Sequence, residues 1–363
     1  MTTLHVVGAG LAGLACAVTA VGAGAEVRLY EAARQAGGRC RSFHDATLDR
    51  VIDNGNHLIL GGNTATFGYL RRLDAVDRLA AVEPPAFPFL DLRDGALWHV
   101  RAGPDALLGW LIGAGAPVPG ARRRDLVRLL RLARADPSAT VAAALGPDGA
   151  LYQRLWEPLA VSALNTEPEA ASAALFRRTL THSLLRGRRA GRPYIAREGL
   201  GHAFVEPALD WLGRRGCEIA FGRRLTGLDL ASGNVGGLRF SDAPVALGRE
   251  HAVVLAVPPW VARDLVPGLA APSDSRAIVN VHFRLPAPAR LPGGADILGL
   301  VGGVAQWIFR RGDVVAVTVS AADALAARPA EEIAATLWRD VARALDLPPP
   351  PPPYRLIKER RAT

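Results

Sequence analysis

Cysteine, lysine and aromatic residues are all scarce in this chain of 363 residues. The three cysteines, Cys16, Cys40 and Cys217, have no metal-binding spacing, and so small and odd a number fits a reducing compartment. Lys358 is the only lysine, so arginine supplies nearly all of the net charge of +9. Aromatic residues make up 6% of the chain and form no stripe interleaved with basic residues. With no recognisable nucleic-acid-binding module either, the sequence predicts neither a metal site nor a nucleic-acid partner.

Long hydrophobic runs are lacking too. Residues 6–25 carry no charged side chain, but glycines interrupt them and no basic leader precedes them. A signal peptide needs such a leader, and a membrane-spanning helix needs about 20 consecutive apolar residues. We therefore expect a cytoplasmic protein, and the basic charge leaves peripheral contact with the inner face of the cytoplasmic membrane as an alternative. The length of 363 residues suits two intertwined domains with a large core, and half of the residues are hydrophobic.

The first chemical signal is a strand, a glycine-rich turn and a helix at the start of the chain. The apolar run 4–7 leads directly into the turn, and a helix of small residues follows it. In a dinucleotide-binding fold Gly8 permits the tight turn, Gly10 lets the backbone approach a pyrophosphate, and Gly13 lets the helix lie close to the strand. The free N–H groups of the helix N-terminus then face the phosphates. The predicted cofactor-binding residues of this turn are Gly8, Gly10, Leu11, Ala12 and Gly13.

A second apolar stretch, 26–30, ends on Glu31, whose carboxylate can accept hydrogen bonds from a ribose. Gly37, Gly38 and Arg39 follow a few residues later. In this order the acid, the glycine pair and the arginine resemble the FAD enzymes of the amine oxidase and carotenoid desaturase superfamily. The resemblance implies that Gly38 lets a second stretch of backbone approach the FAD phosphates and that Arg39 pairs with their charge.

Two further segments fit the layout of that superfamily. The segment 53–61 corresponds to one that passes beside the flavin ring, where Asn54 and Gly55 are the predicted contacts. Residues 252–257 form a predicted buried strand, and Pro258 begins the proline turn after it. The resemblance implies an α/β fold in which a Rossmann-type FAD-binding domain is interleaved with a second, mixed α+β substrate domain. The predicted FAD-binding domain comprises residues 1–75 and 195–270, and the substrate domain comprises residues 76–194 and 271–363.

A narrower resemblance is to the hydroxysqualene dehydroxylase family, the squalene-associated FAD-dependent desaturases of bacterial hopanoid pathways. It rests on residues 156–166, 278–283 and 306–321 and runs from Leu4 to Thr363. It implies reductive removal of the hydroxyl group of hydroxysqualene to give squalene, with reduced FAD as the electron source. The implied partners are the long apolar isoprenoid substrate and the pathway enzymes that supply it.

The same resemblance creates an expectation about the C-terminus. Members of the family continue past the equivalent of Thr363 with a strand that carries a Gly-Asp pair and then a helix, which together close the FAD site. We therefore expect the chain to be C-terminally truncated, to lack the final strand and helix of its FAD-binding domain, and to bind flavin weakly or not at all; a naturally short variant is the alternative.

Loss of a hydroxyl group needs a proton, because hydroxide is a poor leaving group. The candidate acids are Asp53, Glu157 and His57. Asp53 is favoured by its place in the flavin-adjacent segment, and the alternative is a turn residue that accepts hydrogen bonds from backbone amides. Glu157 could instead cap a helix, and His57 could instead bind a backbone carbonyl.

Three other residues have two interpretations each. His282 lies on a predicted alternating strand, where it either points into the pocket or is a hydrogen-bonded structural histidine. Trp156 and Trp307 either line the substrate tunnel and stabilise a cation with their π-faces or pack in the core. Residues 104–135 predict two helices, an apolar one and an arginine-rich one, which either dock on anionic membrane or form a core helix followed by a solvated one.

Other functions stay open on the residues alone. The chain could be another FAD-dependent desaturase or an amine oxidase of the same superfamily. It could also be a truncated inactive chain, or an isoprenoid carrier without flavin. Near the C-terminus, residues 331–345 predict an amphipathic packing helix, and 354–357 predict a strand.

Overall fold

The computed structural model of the protein describes residues 2–103, 118–122, 125, 127–231 and 233–362. The strands, in chain order, are β1 Thr3–Val7, β2 Glu26–Tyr30, β3 Ser42–Asp45, β4 Arg50–Asp53, β5 Ile59–Leu60, β6 Leu79–Ala81, β7 Ala86–Asp91, β8 Leu97–Arg101, β9 Pro193–Ala196, β10 Glu218–Ala220, β11 Leu225–Ala231, β12 Asn234–Phe240, β13 Val245–Ala246, β14 His251–Leu255, β15 Ile278–Arg284, β16 Ile297–Val301, β17 Trp307–Arg311, β18 Val314–Val319 and β19 Tyr354–Glu359. The helices are α1 Leu11–Gly22, α2 Thr64–Arg72, α3 Val127–Ala133, α4 Val141–Leu145, α5 Glu157–Leu164, α6 Ala173–His182, α7 Arg188–Gly191, α8 Glu206–Gly213, α9 Pro259–Leu265, α10 Asp323–Ala326 and α11 Ala330–Leu345.

A four-stranded parallel sheet carries the glycine-rich turn. Its strand order is β10-β2-β1-β14, so β1 lies between β2 and β14. Val6 is opposite Leu29 on one side and Val254 on the other. These strands are short apolar runs because a parallel sheet is covered on both faces. Helix α1 covers one face with the buried side chains of Leu14 and Val18.

A seven-stranded sheet forms the larger half of the molecule, in the order β19-β15-β18-β17-β16-β7-β8. Its neighbours are antiparallel except for the parallel pair β16 and β7. Helix α11 packs on one face through Ile333, Leu337 and Val341, which recur every four residues and are fully buried. The predicted helix over 331–345 and the predicted strand over 354–357 are confirmed as α11 and β19.

Strand β15 separates two environments, because successive side chains of a strand point to opposite faces of the sheet. The side chains on the face covered by α11 are Val279, Val281 and Phe283. The side chains on the opposite face are Asn280, His282 and Arg284. This second face looks toward the hairpin of β3 and β4, which ends at Asp53.

Ion pairs join that hairpin to the seven-stranded sheet. Arg50 of β4 donates to both carboxylate oxygens of Asp313, at 3.0 and 2.8 Å. Arg284 donates to the carbonyl oxygen of Leu48 at 2.9 Å. The end of β4 is therefore held against β15, β17 and β18. The apolar helix predicted over 106–112 lies outside the described residues.

Candidate active site

The glycine-rich turn forms an open cradle between β1 and α1. Gly8 has φ +105, and a Cβ atom there would overlap the carbonyl oxygen of Ala256, so only glycine fits. A Cβ on Gly13 would overlap the carbonyl oxygen of Gly8, which is how closely α1 approaches the strand. A Cβ on Gly10 would meet nothing within 4 Å, so the space in front of this residue is free.

The N-terminus of α1 opens onto that free space. No side chain caps the helix at Gly10, and the first helical hydrogen bond is donated by Leu14 to the carbonyl oxygen of Gly10. The N–H groups of Leu11, Ala12 and Gly13 therefore have no partner within the helix. They supply a set of donors, at the positive end of the helix dipole, for an anionic group.

The second glycine motif lies directly beside the first. Gly37 donates to the carbonyl oxygen of Ala9 at 2.8 Å, and Gly38 lies against Gly10. Glu31 accepts from the backbone N–H groups of Ala9 and Ala33, each at 2.8 Å, which fixes its carboxylate at the end of β2. A carboxylate has about four acceptor positions, so Glu31 retains some for the hydroxyl groups of a ribose.

Arg39 is exposed beside this cradle, and its guanidinium donates to the carbonyl oxygen of Ala362. On the other side of the cradle, Pro258 is the N-cap residue of helix α9, two residues after the Ala256 backbone that Gly8 contacts. The structure therefore brings Arg39 close to the glycine turns and sets Pro258 at the end of the neighbouring strand. Their roles toward a cofactor stay predictions.

Asp53 is held as a hydrogen-bond acceptor. One carboxylate oxygen accepts from the Ser42 hydroxyl at 2.5 Å and from the backbone N–H of Leu200 at 2.8 Å. The other oxygen accepts from the guanidinium of Arg311 at 2.9 Å, and the carboxylate is 5% exposed. Three donors therefore point at this carboxylate, two from side chains and one from the backbone. The geometry thus supports the interpretation as an acceptor of backbone hydrogen bonds more than that as an acid.

A second polar network adjoins the residues after Asp53. Asn56 donates to the Thr318 hydroxyl at 3.1 Å, and that hydroxyl donates to the buried Asn280 at 2.8 Å. The amide nitrogen of Asn280 lies 3.1 Å from the position of a Cβ on Gly55. Sequence reasoning missed Asn280, Thr318 and Arg311. Their only signal was the presence of polar residues within apolar strands.

His57 and His282 line one small cavity together with Asp53. His57 is exposed to that space, yet protein surrounds it, and this desolvation lowers its pKa, with a further contribution from the positive charge of Arg39. His282 has no exposed surface, and burial lowers its pKa to about 4. Both imidazoles are therefore neutral at pH 7.

Glu157 lies elsewhere, at the start of α5. It is absent from the cavity that Asp53 and His57 share. Burial raises its pKa, the negative charges of Glu169 and Glu167 raise it further, and Arg93 opposes them. Glu157 therefore holds its proton to a higher pH than an ordinary glutamate. The structure brings two of the three predicted acids together and leaves this one apart, so the assignment of the acid stays a prediction.

A continuous apolar cluster adjoins the site. Trp307 and Phe309 project from the same face of the sheet as His282, and the Trp307 indole donates to the Ser162 hydroxyl of α5 at 2.6 Å. Trp156 packs edge-on against Phe176 in the same cluster. Trp156 and Trp307 are thus buried in a hydrophobic core. This apolar cluster extends to the apolar side chains that border the cavity of His57.

The cradle fits FAD on three independent observations: the uncapped helix N-terminus, the open space at Gly10, and a carboxylate fixed at the end of β2. The apolar cluster beyond residues 53–57 adds room for an apolar substrate next to a flavin. The fold and this site define a flavoprotein oxidoreductase.

A model of the flavin containing amine oxidoreductase family matches residues 11–359, and the chain belongs to this family. The hydroxysqualene dehydroxylase of Rhodopseudomonas palustris is 41% identical over 362 residues, which cover 99% of this chain and 86% of that protein. The hydroxysqualene dehydroxylase of Sinorhizobium fredii is 40% identical over 361 residues, which cover 99% of this chain and 86% of that protein. The solved structure of a putative protoporphyrinogen oxidase from Exiguobacterium superposes with a TM-score of 0.68 at 16% sequence identity. The superposition covers 100% of this chain and 87% of the Exiguobacterium chain. At so low an identity this similarity shows the fold alone.

The predictions of an α/β FAD-binding fold, of FAD as cofactor and of an oxidoreductase are thereby confirmed. The boundaries of the two domains and the individual site residues stay predictions. No helix in the part of the chain that the structure describes is long and apolar enough to cross a bilayer. Within the same residues no three His, Cys, Asp or Glu side chains form a group that could hold a metal ion.

Proposed function

We propose that the protein removes the hydroxyl group of hydroxysqualene reductively and releases squalene. The observation that carries this proposal is the 41% identity to a hydroxysqualene dehydroxylase over 99% of the chain. Three features of the structure support it: the glycine cradle, the buried ion pair at Asp53 and the apolar cluster beside them. The reaction needs a bound flavin, polar groups that bind the hydroxyl group and an apolar channel for the hydrocarbon chain, all next to one another.

In the proposed reaction one C–O bond breaks and one C–H bond forms. The hydroxyl group takes up a proton and leaves as water, and the carbon receives a hydride. Reduced FAD, when bound, supplies that hydride. Gly8, Gly10, Gly13 and the N-terminus of α1 would hold its pyrophosphate, and Glu31 its ribose.

The protein's own part is to align the substrate and to exclude water. Leu58, Ile195 and Phe309 lie at the edge of the large apolar cluster, next to the polar residues 53–57. A hydrocarbon chain placed along them buries its apolar surface, which contributes about 25 cal/mol per Å². Exclusion of water from this path protects an allylic cation from capture by solvent.

A proton must reach the hydroxyl oxygen. His57 faces the cavity, Asp53 accepts three hydrogen bonds in its wall, and Glu157 has a raised pKa but lies apart from it. Among these candidates His57 combines an exposed ring with a position next to residues 53–55. We therefore favour His57 as the group that passes a proton to the hydroxyl oxygen of the substrate. Only the minor fraction of molecules in which His57 is protonated would do so.

We also propose peripheral contact with a membrane, which would deliver so apolar a substrate. Helix α3 exposes Val127 by 54% and Leu130 by 55%, and Arg128 and Arg131 lie on the same short helix. Apolar side chains beside arginines suit the surface of an anionic bilayer. The enzymes that supply hydroxysqualene would act at the same surface.

The test of the proposed activity is product analysis. The purified protein with FAD and a chemical reductant is incubated with hydroxysqualene under argon, and the extract is analysed by gas chromatography and mass spectrometry. We expect squalene to appear at the expense of hydroxysqualene. A conjugated chromophore would indicate a desaturase instead, and hydrogen peroxide formed with amines in air would indicate an amine oxidase. Either result without squalene contradicts the proposal.

A further inference from the structure

The small cavity below residues 53–57 has polar and apolar walls. It measures about 40 Å³, and its polar lining comes from Asp53, Asn56, His57, His282 and Arg311. Its apolar lining includes Ile195 and Phe309, which also border the large apolar cluster. The cavity therefore connects a polar pocket with the edge of the proposed substrate path.

His282 has unsatisfied hydrogen-bonding capacity in that wall. Its side chain has no exposed surface, and neither ring nitrogen makes a hydrogen bond of normal geometry with the described residues, although the backbone of Asp53 lies close enough to act on the ring. A neutral imidazole has one donor and one acceptor nitrogen. A buried polar group without a partner costs about 1 to 3 kcal/mol, so such a ring is retained where something else satisfies it.

The size of the cavity limits what that partner is. A water molecule occupies about 30 Å³ in the liquid, so a space of about 40 Å³ has room for one oxygen-sized group. The walls offer a carboxylate acceptor at Asp53 and guanidinium and amide donors at Arg311 and Asn56. A neutral oxygen that both donates and accepts hydrogen bonds suits these surroundings. A water molecule and an alcohol hydroxyl group share that chemistry.

We propose that this cavity is a hydroxyl-binding pocket, in which His282 hydrogen-bonds the oxygen of the substrate's alcohol and the water that this oxygen becomes. The inference rests on the proposed function and adds the residue that recognises the alcohol. Before substrate arrives, one water molecule occupies the pocket. The hydrocarbon chain then runs outward past Ile195 and Phe309. The C–O bond thereby lies beside residues 54 and 55, next to the predicted flavin position.

This assignment predicts that His282 distinguishes hydroxysqualene from squalene, which lacks the oxygen. Both ligands bind to the oxidised holoenzyme without turnover, so dissociation constants are measured directly by quenching of tryptophan fluorescence. We expect His282→Leu to weaken hydroxysqualene binding roughly tenfold and to leave squalene binding unchanged, since only the former loses a hydrogen bond in a buried site. His282→Gln, which keeps a donor and an acceptor, should restore most of the preference.

Val281→Ala is the matched control. It lies next to His282 on β15 but faces α11, so it lowers stability without touching the pocket. We expect it to leave the ratio of the two dissociation constants at the wild-type value. A crystal structure of the oxidised holoenzyme should show one water within hydrogen-bond distance of the His282 ring, displaced by the alcohol oxygen in the complex.

Two outcomes would overturn the inference. An unchanged ratio in His282→Leu, with only the melting temperature altered, would mean that the pocket holds a structural water only. A wild-type protein that binds both ligands equally would mean that the pocket takes no alcohol. If the ratio shifts as expected but no squalene forms in the product assay, the pocket stands and the proposed reaction fails.

Discussion

Asp53 shows at the scale of a residue why a carboxyl group in a flavin-adjacent segment need not be an acid. Its oxygens accept hydrogen bonds from Ser42, Leu200 and Arg311, which are 11, 147 and 258 residues away in the chain. The family resemblance predicts that Asp53 lies in a segment beside the flavin, because the motif that carries it is local in the chain. It could not supply the three donors, since these come from separate elements that only the fold brings together.

We predict that Asp53→Asn acts mainly on stability. Removal of the negative charge leaves Arg311 without its partner, and breaking a buried ion pair in this way costs about 3 kcal/mol. The measurement is chemical denaturation of the single variants Asp53→Asn and Arg311→Met and of the double variant. We expect the double variant to lose less than the sum of the two. A normal unfolding curve with no turnover would instead support Asp53 as the acid.

Glu157→Gln should change stability in a pH-dependent way. The folded-state pKa of Glu157 is raised by burial and then by Glu169 and Glu167, so the folded state keeps the proton longer than the unfolded state does. The contribution of Glu157 to stability is thus present below pH 4.5 and is lost as pH rises through the folded pKa. Glutamine removes this loss, so we expect the variant to be more stable than wild type at pH 7 and equal to it at pH 4.

The control for that experiment is Glu331→Gln. Glu331 is also an acid in the first turn of a helix, α11, but it is exposed. Denaturation midpoints of both variants are compared with wild type at pH 4 and pH 7. Equal shifts in the two variants at pH 7 would contradict a specific effect of the surroundings of Glu157.

At the scale of elements, the turn between β1 and α1 separates two uses of glycine. Gly13 serves packing, because a Cβ there would overlap the Gly8 carbonyl oxygen. Gly10 leaves space for a ligand, because a Cβ there would meet nothing within 4 Å. The spacing of the motif predicted the close packing at Gly13, since that contact is made within one short strand, turn and helix, and the role of Gly10 toward a cofactor stays a prediction.

We predict that Gly10→Ala lowers FAD affinity at least about tenfold and leaves the apoprotein as stable as wild type, because the new methyl group projects only toward the cofactor. Gly13→Ala should lower the unfolding free energy by about 1 to 3 kcal/mol, because α1 must move away from β1. Flavin fluorescence titration and thermal unfolding of the apoprotein measure the two effects. Gly213→Ala, at an equally open position in α8, is the control. Loss of apoprotein stability in Gly10→Ala would contradict the assignment of Gly10 to cofactor binding and of Gly13 to packing.

Helix α11 and strand β15 illustrate what periodicity can and cannot predict. The spacing of apolar residues in α11 gave its bounds to within one residue. In β15 the alternation of side chains predicted that His282 points to the opposite face from Val281 and Phe283. It left open whether His282 faces the pocket or is a hydrogen-bonded structural histidine. The structure supplied the missing fact, which is that its ring nitrogens make no hydrogen bond of normal geometry with the residues that the structure describes.

At the scale of the whole molecule, FAD should stabilise the protein by mass action. A ligand that binds only the folded state at 100 times its dissociation constant adds about 2.7 kcal/mol. Residues 53–57 lie between the hairpin and the seven-stranded sheet, so we expect one cooperative transition at a higher melting temperature. Calorimetry with and without FAD measures this shift. Riboflavin, which lacks the pyrophosphate that α1 would bind, should give a much smaller one, and an equal shift would contradict the assignment of the cradle.

The overall architecture was predictable in part. The parallel sheet followed from its glycine motif and its apolar strands, which are signals of short range. The seven-stranded sheet joins β7 and β8 to strands about 200 residues later, and no local pattern encodes that pairing. The ion pairs between Arg50 and Asp313 and between Arg311 and Asp53 likewise depend on this long-range assembly.

The place of β14 beside β1 has a consequence for synthesis on the ribosome. The strand that begins the protein pairs with residues 251–255, and the tight turn at Gly8 is closed by Ala256. At about 5 to 20 residues per second, roughly 10 to 50 s separate the emergence of these two partners. The nascent cradle stays unfinished during that time, so the enzyme acquires its cofactor late in translation or after it.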